Sequence, residues 1–366
     1  MNKRLIALVA LAGASTVAMA NPAGYIVFTS KTNDAVMYYS QDSGSVSTLV
    51  SFADPDVRLA EILRAPTGDY YVSSGPFPVD TANNKSAIYR IDNVFAALPT
   101  VTTLSQDYPL ANPTGIAWHG PSGGIAYTNN AQSEYNPVNP YRGVRVINAT
   151  TAVDVGSYQQ IANTDTTRPT LRTADDITKN PWGGANDYYV TGINGGDLTP
   201  GPDGEASTIW KMSFDGALVG TPSLLVNFAD TASTGLANSL HFIRTATIKQ
   251  SANEMFVVNA PVAVGATNGI YKIMLDANGD FAGVSLLFQD NVNAPRPDAI
   301  EYNPFTDKVV FSDETTGNIY QINPDGTGFE TVATGVGARG FYFVPAPGSL
   351  ALVGLAGLAA SRRRRA

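Results

Sequence analysis

Between residues 25 and 343 the chain is a succession of short segments in which apolar side chains alternate with polar or aromatic ones, separated by clusters of Gly, Asn and Asp. A period of two sends successive side chains to opposite faces of a strand, and the intervening residues supply turn conformations, so the pattern predicts an all-β chain. One segment recurs: Ala87-Ile88-Tyr89-Arg90-Ile91, Thr208-Ile209-Trp210-Lys211-Met212, Gly269-Ile270-Tyr271-Lys272-Ile273 and Asn318-Ile319-Tyr320-Gln321-Ile322. Looser copies are Ala35-Val36-Met37-Tyr38-Tyr39 and Gly143-Val144-Arg145-Val146-Ile147, which makes six copies spaced roughly 50 to 65 residues apart.

Each copy has a strand before it: Tyr25 to Ser30, Tyr70 to Ser73, Ile125 to Asn129, Tyr188 to Thr191, Met255 to Asn259 and Val309 to Asp313. Most have a strand after them, as in Ser47 to Phe52, Val101 to Leu104, Ser223 to Phe228, Val284 to Phe288 and Glu330 to Ala333. A further, innermost strand is predicted at Leu59 to Leu63, Thr114 to Trp118, Asp175 to Thr178, Leu240 to Ile243 and Asp298 to Tyr302. The first repeat lacks one, and Arg339-Gly340-Phe341-Tyr342-Phe343 at the far end supplies it. One strand from the end then joins three from the beginning, which closes a ring and removes a free sheet edge. The prediction is a six-bladed β-propeller over residues 21–343, with seven blades as the alternative. In it Tyr89, Trp210, Tyr271 and Tyr320 pack between blades.

The last repeat carries a finer likeness. Val310-Phe311-Ser312-Asp313, Gly317-Asn318-Ile319-Tyr320-Gln321-Ile322, Asp325-Gly326-Thr327 and Thr331-Val332 together resemble the YWTD repeat of low-density-lipoprotein-receptor-type propellers and their bacterial relatives, with Phe311 in the place of Trp. The resemblance implies six blades.

Chemistry in such a ring belongs at the channel mouth, where inner strands begin. The alignment of repeats brings Thr114, Asp175, Asp298 and Arg339 to equivalent strand starts, with Asp176, Asn238, Ser239, Arg58 and Arg296 beside them. Asp175 and Asp298 facing one channel would suit a hard cation such as Ca²⁺; the alternative is that aspartate and arginine at neighbouring strand starts pair with each other. His119 and His241 are the only histidines, which excludes a three-histidine zinc site. His119, in Trp118-His119-Gly120-Pro121, is expected in a solvated turn. Asp276-Ala277-Asn278-Gly279-Asp280 opens like a calcium loop, but Leu287 stands where the loop needs Glu, and a hairpin turn is expected. No Gly-rich phosphate cradle joins a strand to a helix.

The two ends change the picture. Lys3 and Arg4 precede the apolar stretch Leu5 to Ala12, and Ala18-Met19-Ala20 offers small residues for signal peptidase, so residues 1–20 read as a cleaved secretory signal. At the other end stand Val344, Pro345, Ala346 and Pro347, an apolar run over 350–360, then Arg362, Arg363, Arg364 and Arg365. The run is shorter than the roughly 20 residues of a bilayer span, and the arginines resist translocation. Residues 344–366 resemble the PEP-CTERM sorting signal, with Ala346 in the place of glutamate. The resemblance implies an exosortase-type processing partner, an apolar sorting helix at the inner membrane, and a final place at the cell surface or in the extracellular matrix of a Gram-negative bacterium.

Without both ends the chain holds 17 basic and 31 acidic residues, net −14, which argues against a nucleic-acid partner. There is no cysteine, so core burial must hold the exported domain together. Three function classes follow. The first, favoured by the tail, is a non-enzymatic surface or matrix module binding a glycan or a protein. The second is a Ca²⁺-dependent hydrolase resembling the gluconolactonase and senescence-marker-protein propellers. That family holds its ion with Glu and Asn, whereas Leu59, Thr114, Asp175 and Asp298 stand here. The third is a purely structural envelope spacer.

Overall fold

The computed structural model describes residues 24–53, 57–75, 86–96, 98–106, 112–120, 123–129, 143–150, 154–159, 174–192, 207–213, 222–260 and 267–345. The expected signal peptide and the tail beyond Pro345, including Pro347 and Arg362 to Arg365, lie outside these residues. Among the described residues no helix is long and apolar enough to cross a membrane.

Six four-stranded antiparallel sheets form a ring. The first blade holds β1 (Tyr25–Ser30), β2 (Ala35–Ser40) and β3 (Ser45–Ser51), and the second holds β4 (Leu59–Arg64), β5 (Tyr70–Ser74), β6 (Ala87–Asp92) and β7 (Thr100–Gln106). The third comprises β8 (Pro113–His119), β9 (Gly124–Asn129), β10 (Gly143–Asn148) and β11 (Asp154–Gln159), and the fourth β12 (Ala174–Lys179), β13 (Asp187–Gly192), β14 (Thr208–Ser213) and β15 (Ser223–Asn227). A one-turn helix α1 (Thr231–Thr234) leads to the fifth, β16 (Ile243–Lys249), β17 (Glu254–Asn259), β18 (Gly269–Leu275) and β19 (Phe281–Phe288). The sixth is β20 (Pro297–Asn303), β21 (Lys308–Asp313), β22 (Ile319–Ile322) and β23 (Glu330–Ala333). The last strand, β24 (Ala338–Val344), returns to pair with β1 from Tyr25↔Val344 to Ser30↔Ala338 and completes the first blade.

Among the described residues the core consists of six apolar clusters, one at each junction of neighbouring blades. Val27, Val36 and Val50 of the first blade meet Leu59, Ile62 and Val72 of the second, while Ile26, Phe28 and Phe341 on the opposite face meet Val310 and Ile319 of the sixth. Middle strands are therefore buried on both faces and read as apolar runs, as Ile26-Val27-Phe28 does. Burying each such side chain contributes about 1.5–3 kcal/mol, so a ring without disulfides is sustained by repeated packing. The recurrent aromatics sit in these junctions: Trp210, Tyr271 and Tyr320 are buried in them, and Tyr89 packs on Phe52 with ring centroids 4.9 Å apart.

The structure corrects two of the expectations. The inner strand of the fifth blade is Ile243–Lys249, not Leu240 to Ile243. Four start-to-start spacings between inner and second strands are all eleven residues, Leu59 to Tyr70, Pro113 to Gly124, Ile243 to Glu254 and Pro297 to Lys308, and that spacing sets the frame. His119 is not solvated: it is fully buried at the end of β8, stacked on Tyr188. Asp276 to Asp280 is the expected hairpin turn between β18 and β19.

Candidate functional site in the central channel

Every inner strand carries the same irregularity. The register against its partner slips between Leu59 and Ile62, Pro113 and Ile116, Ala174 and Ile177, Ile243 and Ala246, Pro297 and Ile300, and Ala338 and Gly340. Each slip is a bulge in which two residues oppose one, so two successive side chains are re-aimed. The first residues of these pairs are Ala60, Thr114, Asp175, Arg244, Asp298 and Arg339; the second are Glu61, Gly115, Asp176, Thr245, Ala299 and Gly340. Ten of these twelve line a throat of about 40 Å³ at the channel's upper end, where the inner strands begin.

Hydroxyl groups lock the bulges. The amides of Glu61, Gly115, Asp176 and Ala299 donate to Ser73, Thr128, Thr191 and Ser312 at 3.0, 2.8, 3.0 and 3.1 Å. Three of these hydroxyl groups then donate to a carbonyl of the next blade: Ser73 to Thr114 at 3.0 Å, Thr128 to Asp175 at 2.8 Å and Thr191 to Arg244 at 3.1 Å; Thr29 does the same to Ala60. The fifth blade has Val258 at this position, and there Thr245 of the bulge donates to the carbonyl of Asp298 instead, at 3.2 Å. Glycine is required where neighbours crowd: a Cβ at Gly115 would lie 2.6 Å from Asp176 Cα, and one at Gly340 would lie 2.7 Å from Glu61 Cα.

Above the throat lies a network of four cations and three carboxylates. Glu314 accepts Lys31 at 2.8 Å, Arg296 at 3.0 Å, Arg244 at 3.1 Å and Arg339 at 3.4 Å. Asp298 pairs with Arg244 Nη1 and lies 3.5 Å from Arg339 Nε, while Asp175 Oδ2 is 4.0 Å from Arg244 Nε. Burial pushes the Glu314 carboxyl up, but the surrounding cations, Arg244 foremost, outweigh it and hold the group down at about 2.

Below the throat three carboxyl groups face the channel without a cationic partner among the described residues. Asp176 accepts the amides of Ala246 and Ile177, each at 2.8 Å, and Glu301 accepts the hydroxyl of Thr247 at 2.8 Å. Burial raises Asp176 to about 7 and Glu301 to about 8 against these hydrogen bonds. Burial, then the charges of Asp176 and Glu301, raise Glu61 well above the ordinary carboxylate range. They border a chamber of about 950 Å³ that widens to the lower mouth between Ile, Ala, Trp118, Tyr302, Phe305 and Tyr342.

Thr114, Asp175, Asp176, Asp298 and Arg339 thus come together as the aligned repeats required. Asn238 does not: it is exposed in the loop before β16, because the inner strand starts later than expected. The residue this displaced is Arg244, whose guanidinium lies between Asp175 and Asp298 where a cation was expected. The eleven-residue spacing was the signal that could have found it. Among the described residues no group of three or more His, Cys, Asp or Glu is arranged to hold a metal ion. The Asp175–Asp298 pair does not fit Ca²⁺ here, since the acceptors that would bind it are directed at arginine.

No protein-family model matches the chain, and no curated protein matches it. Solved structures do share its architecture. A chain of a nidogen/laminin complex superposes with a TM-score of 0.57 at 12% identity, over 88% of this chain and 99% of that one. The periplasmic gluconolactonase PpgL of Pseudomonas aeruginosa gives 0.56 at 13% identity, over 88% and 99%. The tricorn protease gives 0.52 at 13% identity, over 85% of this chain and 25% of that one. At such identities the likeness is one of fold: the chain is an all-β six-bladed propeller resembling those of the nidogen and gluconolactonase types.

Proposed function

We propose that the chain is an exported, non-enzymatic propeller that presents a rigid face to a glycan or a protein, at the cell surface or in the extracellular matrix of a Gram-negative bacterium. The observation that carries this reading is the upper mouth of the channel. A metal-dependent lactonase needs an open cation within reach of a carbonyl oxygen; here Arg244 stands between the aspartates and Glu314 is held by four cations. A fold-mate taken from a nidogen/laminin complex is in keeping with recognition as a use of this architecture. Signal peptidase and an exosortase-type enzyme are the processing partners of this reading. Pro345 follows directly on β24, so processing beyond it leaves the ring closed.

The test has two arms. Removing residues 346–366 is expected to leave a folded protein that stays in the periplasm, whereas the full chain reaches the surface; equal display of both would refute the sorting role. The purified protein with Ca²⁺ is expected to leave sugar lactones intact, and turnover lost in Asp175→Ala would establish a hydrolase instead.

A further inference from the structure

We infer that the lower chamber of the channel is a binding site for small organic cations that carry an apolar body, such as aryl-alkyl ammonium compounds. The inference is independent of the surface-recognition reading, because it concerns the opposite mouth and no macromolecular partner.

Volume comes first. About 950 Å³ lies within the range of small-molecule sites and exceeds what a few ordered waters need. The walls come next. Apolar surface predominates, and Trp118, Tyr302 and Tyr342 are among the lining residues, a wall suited to an apolar body with a cationic end; the Tyr302 ring already carries the Lys249 ammonium at 5.5 Å from its centroid.

Charge selects the ligand. Glu61, Asp176 and Glu301 enter the chamber from three different inner strands, and Asp176 is only 6% exposed. Among the described residues lining the chamber the one basic side chain is Lys179. Its ammonium group is directed at the carbonyls of Gly184 and Asp187, at 2.8 and 3.0 Å, and lies over the Tyr188 ring. Near Tyr302, Lys249 is paired with Asp307 at 2.5 Å. Above the throat Arg244 and Arg339 are engaged by Asp298 and Glu314, and Asp175 adds a further negative charge beside Asp176. Among the described residues no basic side chain therefore pairs with the carboxyl groups of the chamber, and their charge is left to be neutralised by the ligand.

Their proton affinity supplies the readout. An arriving cation favours their ionised forms, so binding releases protons below about pH 8 and tightens as pH rises through the range in which Asp176 and Glu301 titrate. A neutral polyol would depend on the protonated acids as donors and would show the reverse trend.

The experiment titrates the full chain with 2-phenylethylammonium and with 2-phenylethanol at about pH 5.5 and about pH 8.5, following Trp fluorescence and the heat in two buffers of different ionisation enthalpy. The ammonium compound is expected to bind about tenfold more tightly at the higher pH and about tenfold more tightly than the alcohol there, with proton release on binding. Glu301→Gln, which keeps an acceptor for Thr247, is expected to weaken the ammonium compound about fivefold and to leave the alcohol unchanged. Trp118→Ala tests the wall separately and should weaken both ligands. Equal affinity for the two probes, affinity that falls with pH, or no saturable binding of the ammonium compound would each overturn the inference.

Discussion

At the scale of single residues, the channel is organised by hydroxyl groups that look unremarkable in the sequence. Thr191 takes the amide of Asp176 and gives its proton to the carbonyl of Arg244, so one buried side chain fixes a residue of each cluster. Thr191→Val keeps the shape and strands both backbone groups in the interior. We expect a loss of about 2–3 kcal/mol in denaturant unfolding, against less than about 1 kcal/mol for Thr67→Val on the exposed turn. Equal small losses would mean that water replaces the clamp. The sequence contains every one of these hydroxyls, and the Ser312-Asp313 pair even falls in the YWTD-like motif. Their role is not legible there, because a Ser or Thr at the end of a strand has many uses and only the next blade supplies the accepting carbonyl. Arg244 was hidden for a different reason. An inner strand begun at Leu240, three residues ahead of its actual start at Ile243, brings Asn238 to the channel in place of Arg244, and the bulge then re-aims side chains that a strict period of two would have assigned to other faces.

At the scale of elements, closure rests on β24. It is the inner strand of the first blade, it pairs with β1 along six residues, and it places Phe341 and Phe343 in the junction with the sixth blade. A chain ending at residue 337 would expose the edge of β1 and open two apolar junctions. Such a chain is expected to be insoluble or to lack a cooperative thermal transition, whereas one ending at residue 345 should melt as the full chain does. Matching transitions for both truncations would show that the ring does not depend on this strand. Closure was legible in the sequence, since the first repeat is short by one strand and Arg339 to Phe343 has the same spacing to its following proline, Pro345, as Asp298 to Tyr302 has to Pro304. The outer strand β11 of the third blade was not foreseen, its segment Asp154–Gln159 being weakly apolar and flanked by long polar stretches.

At the scale of the whole molecule, the two ends of the channel titrate in opposite directions. Glu314 is held near 2 when folded against an ordinary value of 4.5, so its contribution to stability is complete above 4.5 and is lost as pH falls toward 2. Glu61, Asp176 and Glu301 are raised by burial, so the folded state binds more protons than the unfolded one and stability falls as pH rises from the ordinary carboxylate range through about 7 and about 8. We therefore expect the melting temperature to peak at about pH 4 and to decline on both sides, with Glu301→Gln making the alkaline limb shallower and leaving the acid limb unchanged. A flat profile between about pH 5 and 9 would refute the buried acids. What the sequence determined by itself is the architecture: strand periodicity, the sixfold repeat and the missing first strand leave a closed six-bladed ring as the arrangement that buries every apolar face. What only the tertiary structure decided is the chemistry of the channel. Residues from six strands, far apart in the chain, meet there through bulges, and whether Asp175 and Asp298 face a metal ion or an arginine depends on which side chain of the intervening blade reaches the space between them.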